Sequence, residues 1–223
     1  MKRTVILILT CLMAATAFAQ GEIYTSWPYY YSDFQEGTIL LTGGRKHTRP
    51  LNVHLLEGKI HFVDEGGIIR EADNGKMINA QIGDDIYKRV DGRLMQAIPG
   101  PDDSHFIAVS RTADLQALNE TGGAYGVSST SSSTRKLSSL ETSQVINTHH
   151  MDILQHKEDG TRLDIKTEYY IVRGHECVKA TKRDINKSLD KEGKARFKAF
   201  LKDHKINWKD PESLKQLFEF YND

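Results

Sequence analysis

The stretch that most constrains the fold is residues 51–63, LNVHLLEGKIHFV, where apolar and polar residues alternate on both sides of Glu57-Gly58. Alternation with a period of two around a short turn is typical of a β-hairpin. The apolar residues then share one face of the ribbon: Leu51, Val53, Leu55, Ile60 and Phe62. Because an isolated hairpin is only marginally stable in water, we expect this face to lie on a core.

The other face of the predicted hairpin carries two histidines that could bind a metal ion. The two-residue turn places His54 directly opposite His61, near enough for both rings to share a cation. His47 would be a third ligand, since a turn at Gly43-Gly44 places it opposite Leu40 on the neighbouring strand. Metal sites usually add Cys or carboxylate ligands, so an exposed polar strand face explains these histidines equally well.

Tight-turn dipeptides recur along residues 37–110, between short runs of strand-forming residues. They are Gly43-Gly44, Glu57-Gly58, Asn74-Gly75 and Asp91-Gly92. Residues 99–101, Pro-Gly-Pro, predict a wider loop before the next strand. Strands joined by hairpins at this spacing predict an antiparallel β meander over residues 20–118, which either closes as a small barrel or folds as a sandwich.

The rest of the chain is predicted as a loop, further strands and a helical cap. Residues 119–144 are rich in Ser, Thr and Gly and predict a mobile loop or linker. Residues 145–180 contain two strand-like runs, VINTHHMDIL and TEYYIVRGHECVKA. Over residues 181–223 the spacing becomes helical, with Thr181 as the first cap and Asp210-Pro211 opening the last helix. The predicted fold class is α+β, with a C-terminal helical cap.

The first residues have the pattern of a secretory signal peptide. Lys2 and Arg3 precede an apolar run that ends in Ala17-Phe18-Ala19, which predicts removal of residues 1–19. Lipidation at Cys11 is an alternative. No other stretch approaches the roughly 20 apolar residues of a transmembrane helix. We therefore expect an exported protein without a transmembrane segment, in the periplasm or at the cell surface.

The number of cysteines and the balance of charge limit how the fold can be stabilised and which partners are expected. The chain has two cysteines, and signal cleavage would leave Cys177 alone, so packing rather than an intrachain disulfide must stabilise the fold. The strand-like surroundings of Cys177 predict a buried structural thiol. The 30 Lys and Arg residues balance 30 Asp and Glu residues, which argues against nucleic acid as the principal partner.

An aromatic arm, residues 20–36, precedes the first strand of the meander. It contains the candidate ligand-binding residues Trp27, Tyr29 and Tyr30. Flat rings with polar edges suit stacking on sugars or peptides. The alternative is that the arm packs across the sheet as it enters the domain, as aromatic side chains usually do.

Four segments together carry a family resemblance: YSDFQEGTILLTGGRKHTRPLNVHLLEGKIHFVDE, QIGDDIYKRV, TGGAYGVSST and DHKINWKDPESLKQLFEFYND. They contain an acidic-Gly-Thr first strand, a Leu-Asn-x-x-Leu-Leu hairpin, an Ile-Gly-Asp turn, a Gly-Ala-Tyr-Gly loop and a helical tail ending near Tyr221-Asn222. The chain thereby resembles a family of uncharacterised secreted proteins of Bacteroidetes-type bacteria. The resemblance implies an envelope location and no particular activity or catalytic residue.

No catalytic or cofactor-binding motif is found in the sequence, including Gly-x-Ser-x-Gly, His-Glu-x-x-His and a Ser-x-x-Lys set with its partners. The sequence therefore leaves open whether the protein is an enzyme and favours a binding or structural module of the cell envelope. Expected partners are envelope glycan or another envelope protein. The alternative is a hydrolase that acts on envelope glycan or peptide through a site that no motif reveals.

Overall fold

The computed structural model describes residues 24–56, 58–73, 75–113, 148–157 and 162–222. Within these ranges the chain forms twelve strands and five helices. The predicted signal peptide, residues 1–19, and the predicted linker, residues 119–144, lie outside the described residues.

The strands are β1 Tyr24–Thr25, β2 Gln35–Leu41, β3 Lys46–His54, β4 Lys59–Val63, β5 Ile69–Glu71, β6 Met77–Ile82, β7 Asp85–Val90, β8 Arg93–Asp102, β9 His105–Thr112, β10 Leu163–Asp164, β11 Lys166–Arg173 and β12 Glu176–Lys179. The helices are α1 His150–Gln155, α2 Lys182–Ser188, α3 Lys191–Asp203, α4 Pro211–Leu214 and α5 Leu217–Asn222.

Ten of these strands form one antiparallel sheet in the order β12-β11-β9-β8-β7-β6-β2-β3-β4-β5. β1 and β10 form a separate two-stranded sheet. The large sheet is open, with β12 and β5 at its edges. The predicted α+β class, antiparallel sheet and helical C-terminus are confirmed, and Cys177 carries a free thiol.

The β7–β8 turn has the backbone conformation that its sequence predicts. Asp91 has a φ of 48° and Gly92 a φ of 76°. Two successive residues with positive φ define the type I′ turn, whose twist matches that of the flanking strands. The Asp91-Gly92 turn therefore sets the register of β7 against β8, in which Tyr87 pairs with Gln96.

The central hairpin forms between β3 and β4, with a longer turn than the sequence predicts. His54 pairs with Lys59 and Asn52 pairs with His61, so four residues connect the strands instead of two. The predicted direct opposition of His54 and His61 is wrong, and the two are diagonal neighbours. Because the register differs by two residues, an even number, each side chain stays on its predicted face.

The longer turn forms because Leu55 bonds to other parts of the chain. Its N–H donates to the Pro28 carbonyl at 2.9 Å, and its carbonyl accepts from the Ala113 N–H at 3.1 Å. In the same turn, a Cβ atom on Gly58 would lie 3.2 Å from the Leu94 carbonyl oxygen. The sheet is therefore strongly curved, so that the β3–β4 turn contacts β8 and the end of β9. We call this curved part of the sheet, from β2 to β8, the curl.

The aromatic arm continues the line of β2 along β3. Tyr30 N–H donates to the Val53 carbonyl at 2.9 Å, and Tyr29 forms a bridge with His54. These contacts occupy the edge of β3 beyond the point where its pairing with β2 stops, at Leu51. The arm is therefore part of the sheet structure.

Between the arm and β2 the chain bulges around the side chain of Asn52, which is fully buried. The Asn52 amide donates to the Tyr31 carbonyl at 2.9 Å and to the Asp33 carbonyl at 3.0 Å. Its Oδ1 atom accepts from the backbone N–H groups of Tyr31 and Val53 at 3.1 and 2.8 Å. One side chain thus satisfies the backbone groups that the bulge removes from the strand ladder.

Two apolar clusters lie on one face of the sheet. The first fills the curl: Ile39, Leu51, Val53, Ile60, Ala72, Met77, Ala80, Ile82, Tyr87 and Leu94. The second lies under the C-terminal helices: Ile107, Ile171, Ala180, Ile185, Phe197, Leu214, Leu217, Phe218 and Phe220. β8 contributes Leu94 to the first cluster and Ile98 to the second, so one strand joins the two cores.

The C-terminal helices begin at capping residues that the sequence predicts. Thr181 Oγ1 accepts from the Asp184 N–H at 3.1 Å, and Asp210 Oδ1 accepts from the Glu212 N–H at 3.1 Å. Each bond satisfies a backbone donor that the first helical turn leaves without an intrahelical acceptor. Among the described residues, no helix is long and apolar enough to cross a membrane.

The wide loop predicted at residues 99–101 is wrong. β8 continues through these residues to Asp102, with a shift in its register against β9 after Pro99. A Cβ atom on Gly100 would lie 2.3 Å from the His105 carbonyl oxygen and 2.9 Å from the Phe218 ring. Glycine at this position therefore allows both the close approach of β9 and the packing of α5.

The strand predicted at the start of residues 145–180 is wrong where the structure describes it, because His150–Gln155 is a helix. The preceding residues instead bond to β5 and its turn. Ile69 N–H donates to the Thr148 carbonyl at 3.1 Å, and His150 N–H donates to the Gly67 carbonyl at 2.9 Å. This segment thus covers the β5 edge of the sheet.

Candidate functional site

Trp27 and Tyr29 lie in the core and not on the surface. Their exposed fractions are 2% and 0%. Their rings pack edge to face with centroids 5.1 Å apart, and the Phe34 ring lies 4.9 Å from that of Tyr29. Because a buried ring cannot stack on a ligand from solvent, the packing alternative describes these two residues. Tyr30, the third candidate, is half-buried.

His54 and His61 are brought together, but in the core. Their rings stack with centroids 4.7 Å apart, and their exposed fractions are 3% and 2%. The Tyr29 hydroxyl lies 3.0 Å from His61 Nδ1, at hydrogen-bond distance. Burial, followed by the proximity of His54, lowers the pKa of His61 to about 2. The polar face of the hairpin is therefore buried under the arm, and His61 is neutral at physiological pH.

The structure does not place His47 as a third metal ligand beside the histidine pair. His47 pairs with Ile39 and is exposed, and it precedes His54 by seven residues, so the two side chains lie on opposite faces of β3. The part of the chain that the structure describes contains no group of three or more His, Cys, Asp or Glu that could hold a metal ion. Metal binding by His54 and His61 remains a prediction.

A hydrogen-bonded network lies at the border between the first apolar cluster and solvent. The Tyr31 hydroxyl donates to Asp85 Oδ2 at 2.5 Å, and Gln96 Nε2 donates to Asp85 Oδ1 at 2.6 Å. Because Tyr31 uses its one proton on Asp85, Tyr87 must donate in the 2.7 Å contact between the two hydroxyls. The network therefore fixes the Asp85 carboxylate with two hydrogen bonds and ties the arm to β7 and β8.

Arg111 on β9 adds a positive charge to this network. Its guanidinium donates to Gln96 Oε1 and lies 4.4 Å from the centroid of the Tyr30 ring. The Gln96 amide thus separates the charges of Arg111 and Asp85. Within the described ranges, no carboxylate lies within ion-pair distance of Arg111, which is half-buried. A guanidinium has five N–H donors, and the bond to Gln96 uses one of them.

The tyrosines near Arg111 remain protonated at neutral pH. Burial raises the pKa of both Tyr31 and Tyr87 above the ordinary range. The positive charge of Arg111 acts in the opposite direction on the pKa of Tyr87 and on that of Tyr169 in β11, but burial dominates at both. The charge of Arg111 therefore affects the pKa of both Tyr87 and Tyr169. The hydroxyls of these tyrosines still act as neutral hydrogen-bonding groups.

A groove of about 380 Å³ lies on the opposite face of the same strands. Val90, Phe106 and Val172 form its apolar wall, and Cys177 lies beside them. Burial raises the pKa of the Cys177 thiol to about 11, and Asp91 contributes in the same direction. The thiol is thus protonated at neutral pH and is a poor nucleophile.

Asp102, Ser104 and His105 form a group of the residue types found in catalytic triads, but their geometry is that of a turn. Asp102 Oδ1 and Ser104 Oγ both contact the same ring nitrogen, His105 Nδ1, at 2.8 and 3.0 Å. A triad requires the carboxylate and the hydroxyl on different ring nitrogens. Asp102 Oδ1 also accepts from the backbone N–H groups of Ser104 and His105, which closes the β8–β9 turn.

Asp85, Gln96 and Arg111 were not among the residues predicted for a site. The Asp91-Gly92 turn is a usable signal, because it fixes Tyr87 opposite Gln96 and leaves Asp85 two residues away on the same face. The turn gives no position for Arg111, since the register between β8 and β9 shifts near Pro99.

No protein-family model matches the chain, and neither a curated protein nor a solved structure matches it. The resemblance to secreted proteins of Bacteroidetes-type bacteria therefore stays a prediction.

Proposed function

We propose that the protein is an exported envelope protein that binds a ligand, without catalysis, at the Arg111 patch. This patch consists of Tyr30, Tyr31, Asp85, Gln96 and Arg111. The observation that carries the proposal is the half-buried guanidinium of Arg111, which is held by Gln96 and Tyr30 without a carboxylate partner among the described residues. A partly desolvated, positioned cation beside aromatic rings is a typical feature of a recognition surface.

Binding fits the patch better than hydrolysis does. Glycosidases usually place two carboxyl groups on either side of the scissile bond. Asp85 is the one carboxylate of the patch, and Tyr31 and Gln96 already donate to its two oxygens. A carboxylate fixed in this way orients a ligand more readily than it exchanges protons.

The curl of the sheet and the N-terminal sequence support the remaining parts of the proposal. Contact of the β3–β4 turn with β8 and β9 favours a barrel-like arrangement over a sandwich, and small barrels often bind ligands at their mouths. The signal-like pattern of residues 1–19 supports export to the periplasm or the cell surface.

The test is retention of purified residues 20–223 on an array of envelope glycans and peptides. We expect retention of a ligand class by the unmodified chain and loss of that retention in Arg111→Met, which keeps an unbranched side chain but removes the charge. Arg45→Met, at an exposed position in the β2–β3 turn, is the matched control and should behave like the unmodified chain. Equal retention by all three proteins, or release of cleavage products from the array, would contradict the proposal.

A further inference from the structure

We infer that the ligand of the Arg111 patch is an acidic glycan, one whose sugars carry a carboxylate. This inference rests on the proposed function and adds the chemical class of the ligand. It is based on the arrangement of one cation, one fixed carboxylate and adjacent tyrosine rings within a few side chains of each other.

The guanidinium of Arg111 is the reason to expect a carboxylate on the ligand. A guanidinium binds a carboxylate through two parallel N–H···O bonds, which supply geometric specificity as well as affinity. The bond to Gln96 and the stacking on Tyr30 hold the Arg111 side chain in place, so little rotamer freedom is lost on binding. The remaining N–H donors are the groups that a ligand carboxylate would accept from.

The rest of the patch suits the hydroxyl groups and the apolar face of a sugar ring. The oxygens of Asp85 each accept one hydrogen bond within the network, and a carboxylate oxygen can accept two. The rings of Tyr30 and Tyr31 meet edge to face, with centroids 4.9 Å apart, and both side chains are partly exposed. The exposed part of a tyrosine ring can contact the C–H face of a sugar while the sugar hydroxyls bond to nearby acceptors.

Other anions fit the patch less well. A phosphate group would bring up to two negative charges next to Asp85, with one guanidinium to balance them. An acidic peptide would pair with Arg111 and would donate to Asp85 through its backbone N–H groups, but it offers fewer donors close to its carboxylate than a sugar ring with several hydroxyls. A sugar acid supplies a carboxylate that can accept from Arg111 and hydroxyls that can donate to Asp85.

The experiment is calorimetric titration of residues 20–223 with a galacturonate oligosaccharide at low ionic strength, and with its methyl ester as the uncharged counterpart. We expect the ester to bind at least tenfold more weakly than the acid. In Arg111→Met the acid should lose most of its advantage over the ester, because the charge-assisted bonds need both the guanidinium and the ligand carboxylate. Arg45→Met should bind both ligands as the unmodified chain does.

The salt dependence of binding to the unmodified chain provides a second measurement that needs no variant. Affinity for the acid should fall as NaCl rises from 20 to 200 mM, while affinity for the ester stays constant. Equal binding of acid and ester would overturn the inference and leave the proposed function standing. If neither sugar binds but the array retains an uncharged or non-glycan ligand in an Arg111-dependent way, the inference is overturned and the proposed function is not. An empty array would overturn both.

Discussion

The side chain of Asn52 makes four hydrogen bonds to backbone groups, in a position where a strand would otherwise be broken. Through the backbone of Tyr31 and Asp33 it connects the end of the aromatic arm to β3. Burial of a polar side chain costs free energy unless its hydrogen bonds are made, and here they are made in full.

Replacing this side chain should therefore destabilise the protein strongly. Asn52→Ala removes all four of these hydrogen bonds and leaves the carbonyls of Tyr31 and Asp33 without this donor, and we expect the free energy of unfolding to fall by about 3 kcal/mol. Urea denaturation followed by circular dichroism measures the change. Thr38→Ala, which removes a 3.4 Å contact to Thr48 at the surface, should change stability by less than about 0.5 kcal/mol. Similar losses in the two variants would contradict this account.

The buried His61 makes stability depend on pH. The pKa of its ring is about 2 in the folded protein and 6.5 for an unperturbed histidine, so below pH 6.5 the unfolded chain binds a proton that the folded chain does not. Stability from this group is complete above pH 6.5 and falls as the pH decreases towards 2, by at most about 1.4 kcal/mol per pH unit.

Unfolding free energies measured in urea between pH 7 and pH 5 test this expectation. In His61→Phe, which keeps a ring in the stack, the decrease should be smaller than in the unmodified chain. His175→Phe, at an exposed position in the β11–β12 turn, should keep the full decrease. An unchanged slope in His61→Phe would show that other groups cause the pH dependence.

The short helices α4 and α5 cover the part of the sheet that the first apolar cluster does not reach. Leu214, Leu217 and Phe218 are buried against β9 and β11 residues of the second cluster. Together the two helices are ten residues long, so packing rather than intrinsic helix stability holds them in place.

Removal of residues 211–223 should expose this apolar surface. We expect the shortened chain to bind a hydrophobic dye, to self-associate in size-exclusion chromatography and to melt at a lower temperature. Full-length Glu219→Ala, which changes an exposed residue of α5, is the control and should elute and melt as the unmodified chain does. A shortened chain with the elution volume expected for its mass difference and an unchanged melting temperature would show that the helices are an independent appendage.

Elements with strong local signals were predictable from the sequence, and those that depend on distant contacts were not. The Asp91-Gly92 turn and the Thr181 cap depend on nearest neighbours, and both form as predicted. The β3–β4 turn is lengthened by bonds from Leu55 to Pro28 and Ala113, which lie 27 and 58 residues away in sequence. The histidine pair was predicted to be close together, but its burial was not predicted, because that burial depends on the path of the arm, which places Tyr29 against both rings.

The candidate site shows the same difference between local and distant contacts. Asp85 and Gln96 follow from one turn, because strand alternation and a known register put them on one face. Arg111 and Tyr31 join them through the bulged β8–β9 pairing and the course of the arm. These are tertiary features, and a period of two along a strand carries no information about them.

The two apolar clusters belong to one continuous sheet. β8 and β9 pass from the curl to the surface beneath the C-terminal helices, so neither cluster can separate without breaking strand pairing. We therefore expect the protein to unfold in a single cooperative transition.

The two tryptophans report on this cooperativity, since Trp27 lies in the arm and Trp208 packs on the second cluster. In Trp27→Phe the fluorescence of Trp208 should give the same urea midpoint as circular dichroism. In Trp208→Phe the fluorescence of Trp27 should likewise agree with circular dichroism. Midpoints that differ between the two probes within either variant would show separate folding units.

The backbone bonds from Thr148 and His150 to the β5 end of the sheet also bear on the order in which the chain folds. Because a polypeptide is synthesised from its N-terminus, β5 is complete long before residue 148 has been made. During that interval β5 is a template to which another chain could add a strand. A chaperone that binds the nascent protein until residues 148–150 have been synthesised would protect β5. These residues then cover β5 permanently in the folded protein.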